Sequence, residues 1–225
     1  MKHYEPKDFG HLIGLEGLTD ELLRNHFELY KGYVKNTNAI MDEIAELTRG
    51  GKQASPAFAE LKRRFGWEWN GVRLHELYFE NLSKSPEPLA PENPFSDLVK
   101  TNFKSLEAWT AELEAAGNMR GIGWVVTYHD PAIGNLFNVW IDQHDTGHLA
   151  TGVPAVVLDV FEHAYMLDYG VKKADYLKTF LGHLDWAKVG QRLGLVVPAP
   201  AVEAAPRRTT SSRKPPTSRR MRSGR

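Results

Sequence analysis

The sequence predicts an α+β fold: a long N-terminal α-helical hairpin, then an α/β domain whose three-stranded antiparallel sheet is flanked by helices. Three observations predict it. Apolar and aromatic residues keep a helical period from residue 19 to 47 and again from 56 to 83. Three short β-rich runs with turn residues between them occupy residues 123–158. Two further helical stretches follow, so strands sit between blocks of helices and do not alternate with them. The Pro-rich segment Ser85-Pro86-Glu87-Pro88-Leu89-Ala90-Pro91-Glu92-Asn93-Pro94 separates the halves. The expected organisation is therefore a helical hairpin over 1–90, an α/β domain over 91–196 and a disordered basic tail over 197–225.

The first helix opens at Thr19-Asp20-Glu21, where a hydroxyl cap and two acids suit an N-terminus. Leu22, His26, Leu29, Tyr30, Tyr33, Val34, Ile40 and Ile44 share its apolar face. Thr48-Arg49-Gly50-Gly51-Lys52 ends it. The second helix starts at Ser55-Pro56 and passes an aromatic cluster at Trp67-Glu68-Trp69. Asn70-Gly71 would ordinarily signal a hairpin turn, yet Val72, Leu74, Leu77 and Tyr78 hold the helical spacing, so an interruption is expected at most near Gly66 or Gly71. Beyond the Pro-rich segment, Ser105 caps an amphipathic helix that runs to Ala116. The strands are expected over 123–128, 136–142 and 155–158, the first two joined by a loop over 130–135. Residues 175–183 and 185–192 read as two short helices.

Composition narrows the function. The 225 residues suffice for one large domain or two small ones sharing a core, and 42% hydrophobic content with six Trp fits a globular protein. The formal net charge of zero is uneven: residues 198–225 carry eight Lys or Arg against Glu203 alone, which leaves the remainder near −7. Cysteine is absent, so disulfides and thiolate metal sites are excluded while oxygen and imidazole ligands remain. The start lacks an apolar signal region and no run reaches the length of a membrane span. A soluble, cytoplasmic protein without membrane contact is the expectation. The basic tail suggests contact with nucleic acid or an acidic surface.

Chemistry concentrates at Asp159-Val160-Phe161-Glu162-His163-Ala164-Tyr165, directly after an apolar run that reads as a buried strand. An acid and an imidazole four residues apart can reach one metal ion from such a junction. Among the nine histidines, His26 on the first helix and His75 on the second lie on elements able to converge with His163. Together with Asp159 they form a three-His, one-carboxylate set that suits Mn or Fe and leaves a position for solvent. Spacing alone does not bring them together.

These residues carry a resemblance to the iron/manganese superoxide dismutases, extending over about residues 1–195. The Asp159 to Tyr165 string, with Leu167-Asp168-Tyr169, Asp175-Tyr176-Leu177 and Asp185-Trp186, resembles the family's C-terminal signature, with Phe161 where Trp is usual. Tyr33-Val34-Lys35-Asn36-Thr37-Asn38 resembles its first-helix segment, His75-Glu76-Leu77-Tyr78-Phe79 its second-helix ligand segment, and Gly121-Ile122-Gly123-Trp124 its Gly-rich turn. The resemblance implies conversion of superoxide to hydrogen peroxide and dioxygen by redox cycling of one Mn or Fe ion per subunit, held by His26, His75, Asp159 and His163. It further implies that Tyr33 gates access and relays protons, that Trp124 and Trp69 wall the cavity, and that Gln143 or His144 contacts the metal-bound solvent. Glu162 would bond a ligand histidine of a partner subunit, which implies a homodimer.

Departures accompany the match. His26 precedes Tyr33 by seven residues where the family has eight, so counting back from Tyr33 puts Asn25 in the ligand register. The family's second histidine on this helix has no counterpart, and Tyr30 is expected to fill its space. Met166 stands where a tyrosine is common. Positive steering of the anionic substrate is assigned to Arg73 or Lys172-Lys173. The competing reading is a catalytically silent member of the fold, a structural or nucleic-acid-associated protein that uses the basic tail.

Overall fold

The computed structural model describes residues 1–194; the basic tail expected over 197–225 lies outside them. Helix α1, Asp20–Arg49, begins where the Thr19 hydroxyl accepts from the Leu22 amide at 3.2 Å. Helix α2, Pro56–Glu80, begins in the same way, with Ser55 accepting from Phe58 at 3.2 Å and Pro56 in the first turn. It runs unbroken through Gly66 and Gly71. Buried Val72, Leu74, Tyr78 and Phe79 continue its apolar face against α1, and this packing overrides the turn preference of Asn70-Gly71.

A third helix, α3, Pro94–Phe103, was not expected from the sequence. The Asn93 carboxamide accepts from the Phe95 amide at 3.0 Å and donates to the Trp186 carbonyl at 2.7 Å, so the Pro-rich segment ends in a cap. Phe95 and Val99 are buried one turn apart. Helix α4, Leu106–Gly117, follows on the Ser105 cap.

The sheet comprises β1, Trp124–Asp130, β2, Asn135–Ile141, and β3, Val153–Asp159, in the order β2-β1-β3 with both pairings antiparallel. Central β1 is buried at every position from Trp124 to Tyr128. Helices α5, Met166–Tyr169, α6, Lys173–Gly182, and α7, Trp186–Gly194, complete the described chain. Helices α2 and α7 pack on β3, and α4 packs on β1 and β2.

Polar ties lock the hairpin to the sheet. Asn81, just past α2, accepts from the Val157 amide of β3 at 3.0 Å. The partly buried Arg192 guanidinium donates to the Leu77 carbonyl at 2.8 Å and to the Ala155 carbonyl at 3.0 Å, joining α7 to the end of α2 and the middle of β3. The elements bearing His75 and Asp159 are thereby held in fixed register. No helix among the described residues is long and apolar enough to cross a membrane.

Candidate metal centre

Four elements bring their side chains to one point. His26 comes from the first third of α1, His75 from the last third of α2, Asp159 from the end of β3, and His163 from the 3-10 turn after it. One ligating atom from each lies within 4.8 Å of the others. The Nε2 atoms of His163, His26 and His75 stand 3.1, 3.2 and 3.7 Å from Asp159 Oδ2. His26, His75 and Asp159 are buried, and His163 keeps a side-chain exposure of 28%. Asn25, the other candidate in its register, is exposed on α1. The helix therefore presents His26 to the cluster even with seven residues to Tyr33.

Hydrogen bonding decides what these donors lack. The Gly71 carbonyl, which can only accept, lies 2.6 Å from His75 Nδ1, so that nitrogen carries the ring proton and Nε2 offers a bare lone pair. Burial lowers the basicity of His75 and His26 and keeps both rings neutral. Burial also pushes the Asp159 carboxyl up, but His163, whose Nε2 lies 3.1 Å from Oδ2, overcomes it and brings the group below the ordinary carboxylate range. The second carboxylate oxygen accepts from the Phe161 amide at 2.9 Å, and Tyr176 fixes the backbone by donating to the Asp159 carbonyl at 2.7 Å. His26 Nε2 and His75 Nε2 have no hydrogen-bond partner among the described residues. A bare imidazole lone pair thus faces a buried carboxylate, leaving one buried negative charge and orphaned acceptors. Such an arrangement costs several kcal/mol unless a cation sits among the donors. The residues fit a Mn or Fe ion, whose preference for imidazole and carboxylate they match.

A second layer covers the cluster. The indole N–H of Trp124 can only donate, so His144 Nδ1, 3.0 Å away, is the acceptor and the neutral ring carries its proton on Nε2. That proton goes to the Tyr33 oxygen at 2.7 Å. Burial holds the His144 pKa down to about 4 and raises the Tyr33 hydroxyl to about 12, with the Asp159 charge adding to the rise. The Tyr33 ring stacks on His75 with centroids 5.2 Å apart. Two close approaches permit this layer. A Cβ on Gly71 would lie 2.5 Å from the Tyr33 ring, and one on Gly123, at φ +137°, would lie 2.1 Å from the Ile141 carbonyl. Strand register places Trp124 opposite Asp159.

Of the pair Gln143 and His144, the geometry brings His144 to Tyr33 and Trp124. Gln143 has a left-handed backbone at φ +59° and makes no side-chain hydrogen bond among the described residues. Trp69 does not wall the cavity. Its indole donates to the Tyr4 hydroxyl at 2.9 Å, whereas Trp67 packs 4.7 Å from the His144 ring. The sequence does carry a signal for Trp67: Trp67, Gly71 and His75 recur every four residues and so share a helix face. Phe161, in place of the usual Trp, stacks on His163 at 5.4 Å and meets His144 at 4.9 Å. Tyr30 turns elsewhere; its ring packs on Phe9 and its hydroxyl donates to buried Glu76 at 2.9 Å. Arg73 is also engaged by Glu76, and Lys173 donates to the Met119 carbonyl at 2.6 Å. The cation beside the aromatic wall is Arg64, 5.0 Å over the Trp67 ring and paired with Glu68 at 2.8 Å.

Known proteins share this pattern. Residues 91–192 match the profile of the iron/manganese superoxide dismutases, C-terminal domain. An iron superoxide dismutase of Cupriavidus metallidurans is 34% identical over 86% of this chain and 98% of its own length. One from Aquifex pyrophilus is 33% identical over 84% and 90%. A manganese superoxide dismutase of Haloferax volcanii is also 33% identical, over 78% and 86%. Ligand geometry in both halves of the chain and similarity along nearly its whole described length lead to one conclusion: this chain belongs to the iron/manganese superoxide dismutase family.

Proposed function

We propose that the chain is a superoxide dismutase, converting two superoxide anions and two protons to dioxygen and hydrogen peroxide. The observation that carries this reading is the convergence of His26, His75, Asp159 and His163 on one point, with the buried Nε2 atoms of His26 and His75 left without a hydrogen-bond partner among the described residues. These four residues would hold one Mn or Fe ion. When bound, the ion supplies one-electron chemistry, alternating between its trivalent and divalent states. Everything else falls to the protein. Three neutral imidazoles and one carboxylate offset a single charge of the cation and leave the site attractive to an anion.

In this reading Tyr33 and His144 manage protons. Because the His144 Nε2–H donates to the Tyr33 oxygen, the Tyr33 hydroxyl hydrogen is free to be donated into the cavity. Trp124 holds His144 in that tautomer, and Trp67 and Phe161 exclude bulk water from its ring. Gln143 stays outside this chain of donors. Arg64, over the Trp67 ring, supplies local positive potential at the wall.

We further read the chain as a cytoplasmic homodimer. The half-exposed His163, the exposed Glu162 beside it, and exposed Met166 and Leu167 support a subunit boundary there. Sedimentation should give twice the chain mass, and Glu162→Ala should weaken that association. The basic tail is read as a contact for nucleic acid, on the charge of its sequence alone. Loss of RNA or DNA binding on truncation at residue 197 is the expected result. The function itself is tested by the rate of superoxide decay in the presence of purified protein, with His75→Ala as control. Catalysed decay that disappears together with bound metal in the variant is expected. A metal-bearing native protein that leaves the decay at its spontaneous rate would overturn the proposal.

A further inference from the structure

His144 is wholly buried, yet it belongs to the segment of residues 142–152 between β2 and β3, most of which is exposed. Gln143, Gly147 and Thr151 in that segment have left-handed backbone, at φ +59°, +98° and +65°. For Gln and Thr this conformation is intrinsically disfavoured. Local preference therefore does not set where the His144 imidazole sits. Ties from the segment to the sheet must.

The tie is a second histidine. His148 Nε2 lies 2.7 Å from the His144 carbonyl oxygen, and its Nδ1 lies 2.7 Å from the Tyr128 hydroxyl. A carbonyl only accepts, so Nε2 carries the hydrogen, and Nδ1 of the neutral ring is left to accept from the Tyr128 O–H. Tyr128 is 4% exposed and belongs to β1, four residues after Trp124. One strand thus grips His144 twice: at its ring through Trp124, and at its backbone through Tyr128 and His148. Every link has a fixed direction, running Tyr128 to His148 to the His144 carbonyl, and Trp124 to the His144 ring to Tyr33.

We infer that His148 is a positioning residue for the reaction, pinning the His144 backbone to β1 through Tyr128 and so setting the His144 imidazole against Tyr33. The inference rests on superoxide dismutation being the activity. A misplacement near 1 Å at such a donor costs roughly 100-fold in rate, so the clamp acts on turnover more than on folding. A clamp that only stabilised the segment would change the melting temperature and nothing else.

The test uses the full-length chain loaded with Mn and the variants His148→Ala, His148→Gln and Tyr128→Phe. Four quantities are measured: Mn per chain, kcat and KM for superoxide, the Kd for azide from the visible absorption, and the melting temperature. Expected is a fall in kcat of roughly tenfold or more in His148→Ala, with weaker azide binding and unchanged Mn. Tyr128→Phe should change in the same direction by less, and His148→Gln, whose amide can still donate to the carbonyl, should recover part of the loss. If His148→Ala and Tyr128→Phe lower the melting temperature while kcat per Mn and the azide Kd stay native, the inference is overturned. Should His148→Ala fail to fold, Tyr128→Phe decides by the same readouts. Native protein that binds Mn but does not dismutate superoxide would overturn the proposed function instead, and the azide Kd would still judge the clamp.

Discussion

Gly71→Ala separates the packing of Tyr33 from the stability of the fold. Position 71 lies in the regular interior of α2, where Ala is favoured over Gly by about 1 kcal/mol. The added methyl, however, would meet Tyr33 at 2.5, 2.7 and 2.9 Å from Cδ1, Cγ and Cε1. These atoms sit near the root of the ring, so the side chain cannot yield at its tip. To restore ordinary contact the ring must withdraw by about 1 Å, against the 2.7 Å bond that ties its hydroxyl to His144. Overpacking of this kind costs about 1–3 kcal/mol, and the helix preference offsets about 1 kcal/mol of it. Net stability should fall by no more than about 2 kcal/mol, whereas kcat per bound metal should fall about 10- to 100-fold. Denaturant unfolding and stopped-flow superoxide decay measure the two quantities on one preparation. Native kcat in a folded, metal-loaded Gly71→Ala protein would refute the claim that Tyr33 must hold this position.

Arg64→Gln should lower kcat/KM by about threefold at low ionic strength and flatten its salt dependence, since the removed cation stands at the aromatic wall; an unchanged salt slope would place steering elsewhere. The Lys7 and Glu80 pair, 2.7 Å apart, gives a pH prediction. Burial pushes the Glu80 carboxyl up, but Lys7 and Arg192 bring it below 4.5, so its contribution is present above that pH and is lost as pH falls through the lowered value. Burial pushes Lys7 down, but Glu80 and Glu76 raise it above 10.5, so that contribution is present below 10.5 and is lost as pH rises through the raised value. Glu80→Gln should therefore cost about 0.5–1 kcal/mol at neutral pH, and the cost should shrink as pH falls below 4.5 through the lowered value, as read from urea unfolding at each pH.

The parts of the site carried by local pattern were legible in the sequence. Asp159 and His163 lie within one turn of each other, and His26 and His75 announce themselves as polar residues on otherwise apolar helix faces. The convergence of the four was not legible, because it depends on the Asn81 and Arg192 ties that register α2 against β3. Counting residues left Gln143 and His144 equal. The left-handed backbone at Gln143 separates them, and nothing in a glutamine's chemistry foretells that conformation. Helix α3 leaves no sequence signal because its ten residues bury only Phe95, Ser96 and Val99, too few for a period to show behind a run of prolines. The family resemblance points to Trp69 as a cavity wall, whereas the four-residue spacing through Gly71 to His75 favours Trp67. His148 gave no sequence signal, since its partners are a backbone carbonyl and a hydroxyl 20 residues away.

If His26, His75, Asp159 and His163 hold one redox-active ion, activity depends on that ion. Removing metal from the purified full-length chain with a chelator, then titrating Mn or Fe back while recording bound metal and superoxide decay together, tests it most directly. Activity should vanish in the metal-free protein and return in proportion to bound metal, saturating at one ion per chain. Activity that survives complete metal removal, or an ion that rebinds at one per chain without restoring any activity, would contradict it.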